Sequence, residues 1–370
     1  MLNSIDITNY RGFDRFRLDN LARVNLLTGK NNVGKTALLE SVHILAAGGN
    51  PQVLMAIAER RGEVAMGDHE GPMFNIDFSH FFCGHQIATE SKITLTGGNG
   101  LAPVIIEILP IESVKDPEVL FDIEPQSGPM FVMRIEGDWS NGRRDRQRNL
   151  LLSEDGAILI DSRRGFPRQF FEGRREGPPI VFITPESLMP QNLGTMWNQI
   201  TVEKQEEFVN EAMRILEPNL EDIRFLGAME PRRSYFPIRA GVVIGLKGEP
   251  RRIPLGSMGD GMRRLLALAI SLNQARDGYL IIDEIDTGFH YSVMAKMWEL
   301  VVQTAEKNNI QVFATTHSAD CVRGLGLLAE QRTDLQHAIA AHKIERDLGH
   351  NVAFAGHEVA LAFEQDIEIR

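Results

Sequence analysis

Cysteine is scarce in this chain: Cys83 and Cys321 are the two present in 370 residues, far apart and without paired spacing. That scarcity excludes a disulfide framework and a cysteine-based zinc site, and it points to a reducing compartment. No apolar run approaches the ~20 residues needed to cross a bilayer. Residues 265–270 form one of the longest, so no membrane partner is expected. Residues 1–10 have neither a basic n-region nor an apolar h-region, so no signal peptide is expected and the protein is assigned to the cytoplasm. Proline is absent after Pro254, whereas 14 of the 17 prolines fall between 110 and 254. Breakers at that density rule out a long coiled coil in the middle of the chain. Positive charge is in deficit, with 39 Lys and Arg against 50 Asp and Glu and a net charge of −11. The balance argues against constitutive wrapping of nucleic acid while leaving a local basic face open. No internal repeat, low-complexity segment or Asn-Lys-x-Asp element occurs, and the last absence argues against a GTPase. What remains is a soluble globular composition, 43% apolar and 24% charged, long enough for one large or two ordinary domains.

Within that background one motif stands out. Gly29-Lys30-Asn31-Asn32-Val33-Gly34-Lys35-Thr36 fits G-x-x-x-x-G-K-[ST] at every fixed position. Glycines let backbone N–H groups turn inward around phosphate oxygens, Lys35 supplies a charge for the outer phosphates, and the Thr36 hydroxyl suits Mg²⁺. The apolar run at 24–27 reads as the entering strand, and 36–47, with Leu38, Leu39, Val42 and Leu45 on one face, as the departing helix. A nucleoside triphosphate with Mg²⁺ is therefore expected.

Further along, strands are predicted at 4–7, 16–18, 74–78, 92–96, 104–109, 156–160 and 180–183, with helices at 54–61 and 202–216. A hairpin pattern spans 235–255 with its turn at Gly248-Glu249. Helices at 262–275 and 293–306 alternate with short, uniformly apolar strands at 279–282 and 310–314, the pattern of a parallel α/β sheet. A strand at 338–344 and a helix near 358–364 follow.

The partners of the phosphate loop narrow the class. The strand at 279–282 ends in Asp283 and Glu284: the first is placed to hold magnesium through its water shell, the second to polarise the water that attacks the γ-phosphate. The strand at 310–314 runs into Thr315-Thr316-His317-Ser318, putting His317 at the carboxyl edge of a sheet, where nucleotides bind in such folds. Before the acid pair, 255–264 carries Ser257, Gly259 and two further glycines at a helix start. Such a turn either binds an anion or is an ordinary glycine-rich turn with Ser257 or Asp260 as cap.

This set resembles an ABC-type ATPase head of the branch shared by RecF, the SMC proteins and the OLD nucleases. The similarity rests on residues 7–13, the phosphate loop with 38–42, and 235–320. It implies an α/β P-loop fold with a mostly parallel sheet, an N-terminal antiparallel β lobe and an inserted α+β region. The implied domains are 1–112, an insert at 113–234, a second ATPase lobe at 235–322, and an extension at 323–370. By the same resemblance Ser257 and Gly259 match the signature, Asp283 and Glu284 the Walker B pair, and His317 the switch histidine. It further implies a homodimer, head to tail and enclosing two ATP molecules, or a higher homo-oligomer built on the same sandwich. Arg11 either reaches the nucleotide or is an exposed strand-end arginine, and Gln86 is the candidate Q-loop residue. The signature reads Ser-Met-Gly-Asp-Gly rather than Ser-Gly-Gly-Gln, and His290 stands where SMC heads carry aspartate. No Asp-x-Asp cluster follows, and the stretch after His317 is short for a Toprim nuclease, so a separate effector or nuclease protein is the expected partner.

Nine arginines between 143 and 175 interleave with Phe166, Phe170 and Phe171. They suit DNA, a protein interface or a solvated face paired to nearby acids. The expected function is an ATP-driven switch controlling that effector, in anti-phage defence; the alternative is a RecF-like repair clamp with ATP-dependent DNA binding.

Overall fold

A computed structural model describes residues 1–63, 76–113, 131–138, 147–158, 177–184, 197–198, 200–202, 204–226 and 241–369. In chain order its elements begin with β1 (Ile5–Tyr10), β2 (Phe13–Leu18), β3 (Val24–Thr28), α1 (Lys35–Ala46) and α2 (Pro51–Arg61). Next come β4 (Lys92–Gly97), β5 (Val104–Pro110), β6 (Phe131–Glu136), β7 (Gln147–Leu152), β8 (Ile180–Ile183), α3 (Glu206–Met213) and β9 (Leu220–Leu226). They continue with β10 (Gly241–Leu246), β11 (Ile253–Pro254), α4 (Asp260–Gln274), β12 (Tyr279–Ile282), α5 (Met294–Lys307) and β13 (Gln311–Thr315). The last are α6 (Ala319–Gln331), β14 (Ile339–Glu345), β15 (His350–Ala355) and α7 (Gly356–Glu364). They divide into two compact units, each built from discontinuous segments: Met1–Leu21, Asn32–Gly177 and Ile344–Asn351 in one, the remainder in the other.

The first unit is organised by an antiparallel run in the order β7-β6-β5-β4-β1-β2. Ile5, Ile7 and Tyr10 are buried on β1, and Ile7 lies opposite Phe16 of β2. The alternation expected of a half-buried antiparallel strand is visible in β4 and β5 as well. In α1 the buried residues include Leu38, Leu39, Val42 and Leu45, the face the sequence pattern marked. Helix α2 starts where the Asn50 side chain accepts the Gln52 N–H (2.9 Å) and Pro51 supplies a pre-set first turn, and it stops at Gly62 with φ 66.

The second unit carries a parallel sheet, β14-β3-β13-β12-β8. Every residue of β3, β12 and β13 is buried, as strands covered on both faces must be. Helix α4 leads into β12, and α5 and α6 connect β12 to β13 and β13 to β14; together they pack Leu265, Leu266, Trp298, Val301 and Leu325 into one core. Trp298 is fully enclosed, and its Nε1–H reaches the Cys321 carbonyl (3.0 Å). A small antiparallel sheet, β11-β10-β9, completes this unit, with the predicted turn at Gly248 (φ 84).

Two local expectations are corrected. Of the strand predicted at 74–78, Ile76 and Asp77 make only isolated bridges, and Phe78–Phe81 is a short 3₁₀ turn. The Asp77 carboxylate takes the Ser79 N–H (2.8 Å), and that local bond favours a turn over a strand. The helix predicted at 202–216 is interrupted at Lys204, whose φ is 56, and the regular helix spans Glu206–Met213. Of the nine arginines between 143 and 175, all but Arg148 lie outside the described residues, as do Arg232 and Arg233. Arg252 pairs with Asp222 of β9 (Nη2 to Oδ2, 2.8 Å), tying the small sheet together. No helix among the described residues is long and apolar enough to cross a membrane.

Candidate functional site

Three neighbouring strands of the parallel sheet, β3, β13 and β12, end on one edge. Ile282 pairs with Ala314, and Thr315 with Leu27, so the chains leave β12, β13 and β3 at nearly the same level. Out of β3 come Gly29, Lys30 and Asn31; out of β12, Asp283 and Glu284; out of β13, Thr316 and His317. Edges of this kind receive ligands in open α/β sheets.

The two acids are held by threonines. Thr315 donates its hydroxyl to Asp283 Oδ1 (2.6 Å) and accepts the Glu284 N–H (2.8 Å). Glu284 Oε2 accepts the Thr287 hydroxyl at 3.2 Å. Glu284 itself lies in the left-handed region, φ 53, a conformation that costs a non-glycine residue about 1–2 kcal/mol. Strain of this kind persists where surrounding structure fixes a side chain for use. Thr316 donates to Asp286 Oδ1 (2.5 Å) and receives the Ser318 N–H (3.0 Å), while Ser318 caps α6 through the Cys321 N–H. His317, between these two, is exposed.

In the phosphate loop, Gly29 (φ 138), Asn32 (φ 61) and Gly34 (φ 100) take positive-φ backbone, the kind of conformation from which anion-binding N–H nests are built. A Cβ on Gly34 would lie 2.4 Å from the Phe13 ring, so glycine is required there by φ and by space. Lys35 opens α1 and is 5% exposed; Thr36 follows. The first turn of α1 has no acidic residue, so the helix N-terminus keeps its full positive end for an anion.

Ser257 and Gly259 are exposed in the turn before α4. The cap of that helix is Gly259 (φ 89), not Ser257 or Asp260. Asp260 instead pairs with Arg263 at 2.5 Å. The loop 286–290 packs against this helix start: a Cβ on Gly261 would lie 3.0 Å from the Gly288 carbonyl.

Arg11 is placed differently from either expectation. It is 6% exposed and ion-paired, Nε to Glu40 at 2.7 Å and Nη1 to Glu63 at 2.5 Å, with its guanidinium 4.7 Å from the Phe81 ring centroid. Burial opposes its charge, but Tyr10, Glu63 and Glu40 outweigh that and push its pKa above the ordinary arginine value. Arg61 holds the other Glu40 oxygen (2.6 Å), and the Tyr10 hydroxyl adds a bond at 3.2 Å. Burial, then the Glu40 charge, raises the Tyr10 pKa. Breaking such a buried pair costs about 3–5 kcal/mol. No spacing in the sequence announced this cluster, because its members come from distant positions. The threonine pair beside His317 did offer a signal, two hydroxyls directly after a buried strand. Gln86 lies exposed in the loop before β4.

A protein-family model described as "AAA domain, putative AbiEii toxin, Type IV TA system" matches residues 24–320. A Helicobacter pylori protein named ATP/GTP phosphatase is 22% identical over 367 residues, 94% of this chain and 93% of that protein. The Staphylococcus epidermidis DNA replication and repair protein RecF is 47% identical over 45 residues, 12% of each chain. A solved SMC head bound to the C-terminal winged-helix domain of ScpA gives a TM-score of 0.49 at 12% identity, covering 96% of this chain and 98% of that one. The SMC head of Thermotoga maritima gives 0.41 at 11% identity, with the same shares covered. On the match across 24–320, which takes in the phosphate loop, the acid pair and His317, the chain belongs to this AAA-domain family.

Proposed function

We propose that this ATPase is a nucleotide-gated switch in which two copies close around ATP, open on hydrolysis, and so control a separate effector protein. The observation that carries the reading is an asymmetry of exposure. Asp283 and Glu284 are partly buried and braced by hydroxyls, whereas Ser257 and Gly259 stand exposed at the start of α4. A serine–glycine turn at a helix N-terminus is an anion site, and in a single chain it is left open for the nucleotide of a second copy.

In this reading Gly29, Lys30, Asn31, Asn32, Val33, Gly34 and Lys35 cradle the phosphates. Glu284 orients and polarises the attacking water, and His317 donates a hydrogen bond to the γ-phosphate. Asp283 and Thr36 each carry a hard oxygen donor of the kind that suits Mg²⁺. When bound, the ion offsets the charge of the outer phosphate oxygens. The region 113–234 would carry the open or closed state to the effector. The toxin–antitoxin wording of the matching family supports a role in defence against phage. In this proposal the toxin or nuclease activity resides on another chain.

Glu284→Gln tests the reading: it should bind ATP without turnover and accumulate as a dimer in light scattering. A strictly monomeric variant at saturating ATP would remove the two-copy switch. The short RecF match favours a second reading, a DNA-repair clamp whose activity is ATP-dependent DNA binding. ATP-dependent, salt-sensitive DNA affinity that falls on substituting Arg143, Arg144 and Arg146 would select it.

A further inference from the structure

The Arg11, Glu40, Glu63 and Arg61 cluster lies outside the strand edge described above, yet Glu40 belongs to the helix that presents Lys35 and Thr36. It sits four residues after Thr36, one turn along α1, and is 1% exposed. Both its oxygens are taken, one by Arg11 and the other by Arg61 at the end of α2. Arg11 then binds Glu63 through two nitrogens and donates to the His80 carbonyl at 3.3 Å.

Buried ion clusters contribute little net stability, because removing the charges from water offsets most of their attraction. Their distinctive property is direction. The rest of the buried surface of α1 is mostly apolar, Leu38, Leu39, Val42, Ile44 and Leu45 among it, and such packing is non-directional and does not by itself set where the helix stops along its axis. Two guanidinium groups on the two oxygens of Glu40 do set it.

We infer that Glu40, clamped by Arg11 and Arg61, is a positioning residue for ATP hydrolysis: it fixes the axial register of α1 and thereby the placement of Lys35 and Thr36. The inference rests on the reading of these two residues as phosphate and magnesium ligands. An error of about 1 Å in such a group can cost about a hundredfold in rate.

The experiment compares two full-length variants with the native protein. Glu40→Gln keeps the shape and removes the charge; kcat should fall about tenfold or more while KM for ATP changes less. The second variant, Arg11→Met with Glu40→Leu, Arg61→Met and Glu63→Gln, replaces the cluster by groups of similar size and should recover the native melting temperature. If the cluster positions α1, this variant stays slow despite its restored stability. Native kcat in the second variant would overturn the inference, as would a Glu40→Gln defect that only tracks the fraction unfolded. Unchanged ATP affinity in Lys35→Ala would instead overturn the ligand reading beneath it, so the two failures are distinct.

Discussion

The hydroxyl of Thr315 lies 2.6 Å from Asp283 Oδ1 and simultaneously receives the Glu284 N–H at 2.8 Å. One buried side chain on β13 thus orients the carboxylate at the end of β12 and stabilises the left-handed turn that carries the second acid. Thr315→Val keeps the shape and deletes the hydroxyl. It leaves the Glu284 N–H and Asp283 Oδ1 each short of a partner, a loss of about 1–3 kcal/mol in stability. The rate of phosphate release should fall by about ten- to a hundredfold, with nucleotide affinity in the absence of magnesium unchanged. Steady-state phosphate assays and titration with labelled ATP in chelator would check both halves.

Gly34 and Phe13 define a second constraint. The Cβ of alanine at 34 would meet the Phe13 ring at 2.4 Å, and φ of 100 disfavours any side chain. Gly34→Ala should destabilise the protein by about 1–3 kcal/mol and abolish measurable ATP binding by calorimetry. Adding Phe13→Leu should recover part of the stability but not the affinity, because the backbone conflict remains. Full recovery of binding in the double variant would show that space alone required glycine.

The parts of this protein written in local periodicity were legible from its sequence. Uniformly apolar 279–282 coincides with β12, and the run at 310–314 with all but one residue of β13, because strands buried on both faces have no polar alternation to obscure them. The phosphate loop was legible because its glycines answer to backbone geometry. What stayed hidden was long-range. Arg11 read either as a nucleotide contact or as an exposed strand-end arginine, since nothing near it in the sequence announces Glu40 or Glu63 as its partners. Strand β9 escaped notice because Glu221, Asp222 and Arg224 read as a polar surface, while Arg252 across the small sheet neutralises Asp222.

Thr316 joins the β13 edge to the loop after the acid pair through its 2.5 Å bond to Asp286. Gly288, two residues on, packs against Gly261 at the start of α4. In the two-copy reading that loop belongs to the closing surface. Thr316→Val should therefore leave ATP affinity within about threefold of native while reducing the ATP-trapped dimer of a Glu284→Gln background. Sedimentation of the paired variants at graded ATP would report it. An undiminished dimer would confine Thr316 to shaping the turn before α6.

His43 on α1 is half-buried and His342 on β14 is buried, and desolvation lowers each pKa from 6.5 to about 4, with the Arg60 charge adding to the effect at His43. Each histidine is neutral in the folded chain down to about pH 4 but accepts a proton near 6.5 once unfolded. The unfolded state therefore binds more protons between those limits, so stability is full above pH 6.5 and falls as the pH drops toward 4. Two such groups give a slope of about 2.7 kcal/mol per pH unit across the middle of that window. His342 Nε2 lies 3.1 Å from Asn25 Oδ1, and Asn25 Oδ1 already accepts the Ala22 N–H, so the imidazole is the donor. His342→Gln retains a donor and removes the titration. Denaturant unfolding at pH 7, 6 and 5 should show its slope reduced by about half, with stability at pH 7 changed little; an unaltered slope would place the acid sensitivity elsewhere.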